Sequence, residues 1–162
     1  MSVQPTPSQT VGPFYSIGCC RRDESRLVDP GDPDALALVG KLLDGAGEPI
    51  TDGLIEVWDP VGTRWGRSGT EDQGRFSFAV AKPAPRPGDA PHLEVLVLAR
   101  GLLKHQWTRL YFQDEIEANR RDPVLAALSP DERATLVAET DGRGLRFDIH
   151  LQGDQETVFF TI

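Results

Sequence analysis

The sequence predicts an all-β fold, a β-sandwich of about seven to eight strands, and three observations carry that expectation. Thirteen prolines and sixteen glycines punctuate short apolar runs, the texture of strands separated by turns. Several runs alternate apolar and polar residues, which turns one face of a strand inward. The 162 residues suffice for one domain whose core needs no disulfide staple.

Residues 1–34 show little periodicity and read as an extended N-terminal arm, leaving 35–162 for the sandwich. "LALVGKLLD" is the first strand, ended by the glycine-rich turn "GAGEP", and "GLIEVWD" is the second. "EDQGRFSFAV" holds a turn at 72–74 and an alternating strand with Phe76 and Phe78 on one face. "PAPRPGDAP" is a loop, since proline cannot donate to a central ladder. "HLEVLVLAR" and "WTRLYF" are two more strands joined by "GLLKHQ", while "GLRFDIHLQG" and "ETVFFTI" form a closing pair.

A short helical insertion, residues 113–139, interrupts this pattern. In "SPDERATLVAE", Ser129 is the N-cap, Pro130 the first helical residue and Glu132 the partner of a capping box. "DEIEANRRD" reads as a shorter helix with acids at its start and arginines at its end, matching the helix dipole. "PVLAAL" is the joint between them.

The net charge of −8 disfavours nucleic acid and anionic membranes as partners, because both reward basic surfaces. No apolar run approaches the roughly 20 residues that span a bilayer. The N-terminal stretch lacks a basic region followed by an apolar one, so the expected location is the cytoplasm. The two cysteines, Cys19 and Cys20, are neighbours and read as ordinary reduced thiols.

The strand that begins at His92 raises the question of a metal. His92 and Glu94 stand two apart, so on a strand they share a face and could grip one ion. With the distant His150 they would have the composition of a two-histidine, one-carboxylate ferrous site, which makes a stand-alone metal enzyme one alternative. The other is a strand with two polar residues at its mouth. His105 lies in a loop and is expected to be solvated.

"TPSQTVGPFY", "GEPITDGLIEVWD", "DQGRFSF", "PHLEVLVLARG", "TRLYF" and "RFDIHLQGDQETVFF" together, in that order, resemble the intradiol ring-cleavage dioxygenases. Within that family the chain is most similar to the alpha subunits of the protocatechuate-cleaving members. The resemblance implies a hetero-oligomer of αβ units built from related β-sandwiches. It implies Fe(3+) held by the beta subunit, and cleavage of 3,4-dihydroxybenzoate between its hydroxyls with O2 to 3-carboxy-cis,cis-muconate.

The family's metal strand carries His-x-His, where this chain reads His92-Leu93-Glu94. The loop "KPAPRPGDAP" lacks the tyrosine ligand, and "PVGTRWGRSG" offers only Trp65 near the place of the other. Tryptophan donates through its ring nitrogen and cannot ligate iron as a phenolate does. The chain is therefore expected to bind no metal itself and to be inactive alone, with His92 and Glu94 marking a vestigial position.

The resemblance also implies that this chain reaches the partner's substrate pocket through Thr10, Gly12, Pro13, Phe14 and Tyr15 of the arm and through Arg109. A guanidinium suits a carboxylate-bearing substrate, since it can form two parallel charge-assisted hydrogen bonds. Phe14 takes a place where the resemblance implies tyrosine, which removes a hydroxyl that neighbouring Tyr15 could replace. A third possibility is a non-enzymatic scaffold.

Overall fold

Among the described residues nine strands pair in the order Arg64–Gly69, Leu54–Asp59, His92–Leu98, Gln106–Phe112, Val137–Asp141, Gly144–Arg146, Leu36–Leu43 and Arg75–Val80, with Ile149–His150 paired to Leu36–Leu43. The computed structural model describes residues 4–21, 23–142 and 144–161. Residues 1–3 and 22 of the expected arm, and Ile162 of the expected closing strand, lie outside the described residues. The strands are β1 (Leu36–Leu43), β2 (Leu54–Asp59), β3 (Arg64–Gly69), β4 (Arg75–Val80), β5 (His92–Leu98), β6 (Gln106–Phe112), β7 (Val137–Asp141), β8 (Gly144–Arg146) and β9 (Ile149–His150). The helices are α1 (Phe14–Cys19), α2 (Ile116–Arg121), α3 (Pro123–Ala126) and α4 (Pro130–Ala134). The fold is all-β, as expected.

Alternation builds the core. Ile55 and Val57 of β2, Leu93, Val95 and Val97 of β5, and Leu110 and Phe112 of β6 meet Leu38 and Leu42 of β1 and Phe76, Phe78 and Val80 of β4 in one apolar cluster. Each such side chain contributes about 1.5–3 kcal/mol by leaving water. The two ends of the strand path, β3 and β4, lie against each other, and Ser77 N donates to Ser68 Oγ over 3.3 Å. The sheet is thus nearly closed.

Four expectations need correction. The arm is not extended throughout, because residues 14–19 form α1, which has no side-chain cap. β3 was not foreseen, since "RWGRSG" shows no apolar alternation. It forms by antiparallel pairing with β2, and Gly66 lets the segment before β1 pass close to it: a Cβ there would collide with Leu27 and with the Glu24 carbonyl.

The insertion is shorter than 113–139 and contains three helices, with the joint forming α3. Its last helix keeps the Ser129–Glu132 capping box but stops at Ala134. The following Val137 and Ala138 pair in parallel with Tyr111 and Phe112, where sheet pairing overrides helix propensity. "ETVFFTI" does not pair with "GLRFDIHLQG" as a strand. It bridges β6 at one point, Phe160 to Trp107, and the Thr108 hydroxyl donates to the Val158 carbonyl over 2.7 Å.

A buried carboxylate ties the insertion to the sheet. Asp122 is 1% exposed and caps α3 by accepting from Val124 N at 2.9 Å and Leu125 N at 3.0 Å. Its other oxygen accepts from Ala90 N at 3.0 Å, just before β5. Asp122→Ala should cost about 3 kcal/mol in urea unfolding, because it strands several buried donors. Ser129→Ala, which removes an exposed cap, should cost about 1 kcal/mol. Equal losses would mean that Asp122 is only a cap.

Candidate functional site

β5 and β6 are antiparallel, with His92 opposite Tyr111, Glu94 opposite Arg109 and Leu96 opposite Trp107. Leu93, Val95, Thr108 and Leu110 are buried on the inner face, so the register collects the polar and aromatic residues on the outer one. The Glu94 rung continues through Trp58 of β2 to Trp65 of β3. Both tryptophans are partly open to solvent.

A closed circuit of polar groups occupies one end of this face. His92 Nδ1–H donates to the Ala90 carbonyl over 2.8 Å, which turns Nε2 toward Glu94 Oε1 at 3.8 Å. The same oxygen lies 3.9 Å from Arg109 Nη2. Arg109 Nη1 donates to the Tyr111 hydroxyl over 3.4 Å, and that hydroxyl donates to Asp122 Oδ1 over 3.3 Å. Asp122 returns to Ala90 through the backbone bond described above.

The guanidinium is caged but loosely held. Its polar contacts are long, and its Nε is buried with no hydrogen-bond partner among the described residues. Trp107 and Phe160 flank it at 5.7 Å and 5.8 Å, close enough for cation–π attraction. Burial opposes the charge, but the Tyr111 hydroxyl and neighbouring carboxylates more than offset that, so Arg109 stays protonated.

The donor set does not fit ferric iron. The chain has two tyrosines; Tyr15 sits on α1, and burial pushes the Tyr111 hydroxyl up to about 12, which disfavours a phenolate. The gap over His92, between residues 60–61 and the 83–91 loop, is about 10 Å³, room for one water at most. Arg86 helps close it by donating to the Pro60 carbonyl. Among the described residues no three His, Cys, Asp or Glu side chains are grouped to hold a metal ion.

The alternative trio is not brought together. His150 lies on β9, whose strand partner is β1, and lines an open groove of about 610 Å³ with Asp131, Glu139, Asp148 and Asp154. His92 and Glu94 are not part of that groove. His105 is exposed, as expected. Cys19 and Cys20 are free thiols, and burial, with the Glu71 charge, pushes Cys20 up to about 11.

The arm reaches the same outer face as Arg109. The Thr10 hydroxyl accepts from Gly101 N at 2.8 Å and lies 3.4 Å from the Ala99 carbonyl, beyond the end of β5. Nine residues on, Arg67 Nη1 of β3 donates to the Cys19 carbonyl over 3.0 Å. Between these moorings Gly12, Pro13, Phe14 and Tyr15 are exposed, Phe14 at 80%. Sequence reasoning missed Tyr111, Trp107 and Asp122 as parts of this site. The period-two spacing of Trp107, Arg109 and Tyr111 was the available signal; Asp122 gave none.

No family model matches the chain. The sequence is 37% identical to the protocatechuate 3,4-dioxygenase alpha chain of Burkholderia cepacia, over 99% of each chain. It is 38% identical to the alpha chain of Pseudomonas putida, over 96% of this chain and 95% of that one. The beta chain from Burkholderia cepacia matches at 26%, over 80% of this chain and 70% of its own. Among solved structures, the dioxygenase domain of a carbohydrate-binding fusion protein from Streptomyces sp. SirexAA-E superposes with a TM-score of 0.64 at 25% identity, over 93% of this chain and 99% of that one. An intradiol ring-cleavage dioxygenase from Tetranychus urticae gives 0.62 at 15% identity, over 94% and 96%, and supports the fold alone.

The Glu94 carboxyl is held below the usual carboxylate range by the His92 ring, against the effect of burial and with help from the Arg109 charge. A depressed folded pKa adds stability above the unfolded value, lost as pH falls through the folded one. The advantage of the native chain over Glu94→Gln should therefore be present at pH 7 and fade below about pH 4.5. Urea unfolding across that range measures it, and a pH-independent difference would contradict the assignment.

Proposed function

The chain belongs to the protocatechuate 3,4-dioxygenase alpha-chain family, and we propose that it works as the alpha subunit of a two-chain intradiol dioxygenase. The observation that carries this reading is similarity to alpha chains over the whole length, joined to a β5 strand whose donors do not suit iron. The family is one of oxidoreductases. The reaction adds both atoms of O2 to 3,4-dihydroxybenzoate between its hydroxyls and gives 3-carboxy-cis,cis-muconate. Fe(3+), where that chemistry occurs, belongs to the beta subunit. The expected place of the enzyme is the cytoplasm.

The chain's own contribution is a wall of the shared pocket. Arg109 binds the substrate carboxylate through its Nη atoms, whose own contacts to Tyr111 and Glu94 are long, 3.4 Å and 3.9 Å. Thr10, Gly12, Pro13, Phe14 and Tyr15 line the same approach, with the arm, residues 1–34, against the beta subunit. Support comes from the exposure of Phe14 and Ile17, 80% and 65% in the lone chain, since aromatic and apolar groups gain most when a partner covers them.

Purified alone, the chain should hold no stoichiometric iron and should not consume O2 with 3,4-dihydroxybenzoate. Co-expressed with a beta chain, it should form an iron-containing complex that does. Tight iron and ring cleavage by the lone chain would refute the reading. In the complex, Arg109→Met should raise KM for 3,4-dihydroxybenzoate by an amount worth about 1–3 kcal/mol. An unchanged KM in steady-state kinetics would favour a purely scaffolding role.

A further inference from the structure

Arg109 does not meet a ligand as a bare cation. Glu94 stands directly opposite it in the β5–β6 register, its side chain 24% exposed and its Oε1 3.9 Å from Nη2. We propose that Glu94 is a specificity-determining residue that weakens the hold of Arg109 on a carboxylate-bearing aromatic ring, so that this chain selects substrates less by charge than an unpaired arginine would. The proposal rests on the reading that Arg109 faces substrate.

Two roles for Glu94 compete, and distances decide between them. As an anchor it would hold the guanidinium in place, but a contact of 3.9 Å is too long for a hydrogen bond. Tyr111 and the rings of Trp107 and Phe160 bound the guanidinium without it. As a charge it acts at longer range. A carboxylate hydrogen-bonded to Nη2 has an oxygen about 3 Å from that nitrogen, so it lies no more than about 7 Å from Glu94 Oε1. At that separation in a partly buried site, two negative charges repel enough to change affinity on the order of tenfold. A neutral ligand of the same shape escapes this repulsion and can donate a hydrogen bond to Glu94. Asp122 places a further negative charge near Arg109, but it is common to the native chain and the Glu94 variants and so cancels in their comparison, while Glu56 is bound by Arg67.

The test uses the assembled two-chain enzyme and two competitive inhibitors of equal shape, 4-hydroxybenzoate and its neutral amide, 4-hydroxybenzamide. Glu94→Gln should increase the preference for the carboxylate over the amide, read as the ratio of Ki values, by about tenfold. A ratio unchanged, or shifted toward the amide, overturns the proposal. If Glu94→Gln does not assemble with the beta chain, Glu94→Asn gives the same comparison. Arg109→Met separates this proposal from the reading beneath it. Loss of the preference there with no effect at Glu94 sinks only the role of Glu94, whereas an unchanged ratio in Arg109→Met removes the premise.

Discussion

The pairing of β5 with β6 is the constraint on which the outer face depends. Because the strands are antiparallel and in one fixed register, His92 meets Tyr111 and Glu94 meets Arg109. A slip of one residue would exchange faces, driving Arg109 into the core and Leu110 into water. Such a slip is costly: Leu93, Val95, Val97 and Leu110 are essentially buried, and each would give up about 1.5–3 kcal/mol. The apolar inner face thus fixes the placement of polar groups that contribute little to stability themselves.

That division lets the outward positions of a strand change in chemistry while the fold is kept. The inward residues of β5 carry the packing, while the outward positions answer only to their neighbours. In this chain a permanent cation, Arg109, lies beside Glu94, and the space above His92 is filled by the 83–91 loop. A guanidinium satisfies nearby carboxylate charge without oxygen donors. The balance is loose: the circuit from Ala90 through His92, Glu94, Arg109, Tyr111 and Asp122 closes through contacts mostly longer than 3 Å. One donor within it, Arg109 Nε, is buried and without a hydrogen-bond partner among the described residues.

Much of the fold was legible where local and global preferences agree. β1, β2, β4, β5 and β6 follow apolar alternation, and the cap at Ser129 follows a box of four residues. β3 was not legible, because "RWGRSG" has no apolar alternation and its inward position is Gly66, which admits Leu27 and the Glu24 carbonyl from elsewhere in the chain. β7 was masked by a helix-like sequence that the sheet recruited through parallel pairing with β6. α1 gave no signal at all, lacking a side-chain cap and an apolar stripe facing the core. In the site, Arg109 and His92 could be singled out by residue type, but Asp122 could not, since its role comes from meeting Ala90 across 32 positions.

The sequence by itself determined the class of fold and the shortage of metal donors, because both follow from periodicity and an inventory of side chains. Two tyrosines, three histidines and a His-x-Glu strand are the same count in any conformation. What only the tertiary structure decided was how the remaining polar groups are shared: that Glu94 faces Arg109, that Tyr111 is claimed by Asp122, and that His150 belongs to another part of the sheet. Those relations depend on strand register and on which distant segments come to lie side by side, and neither is encoded in the spacing of residues along one strand.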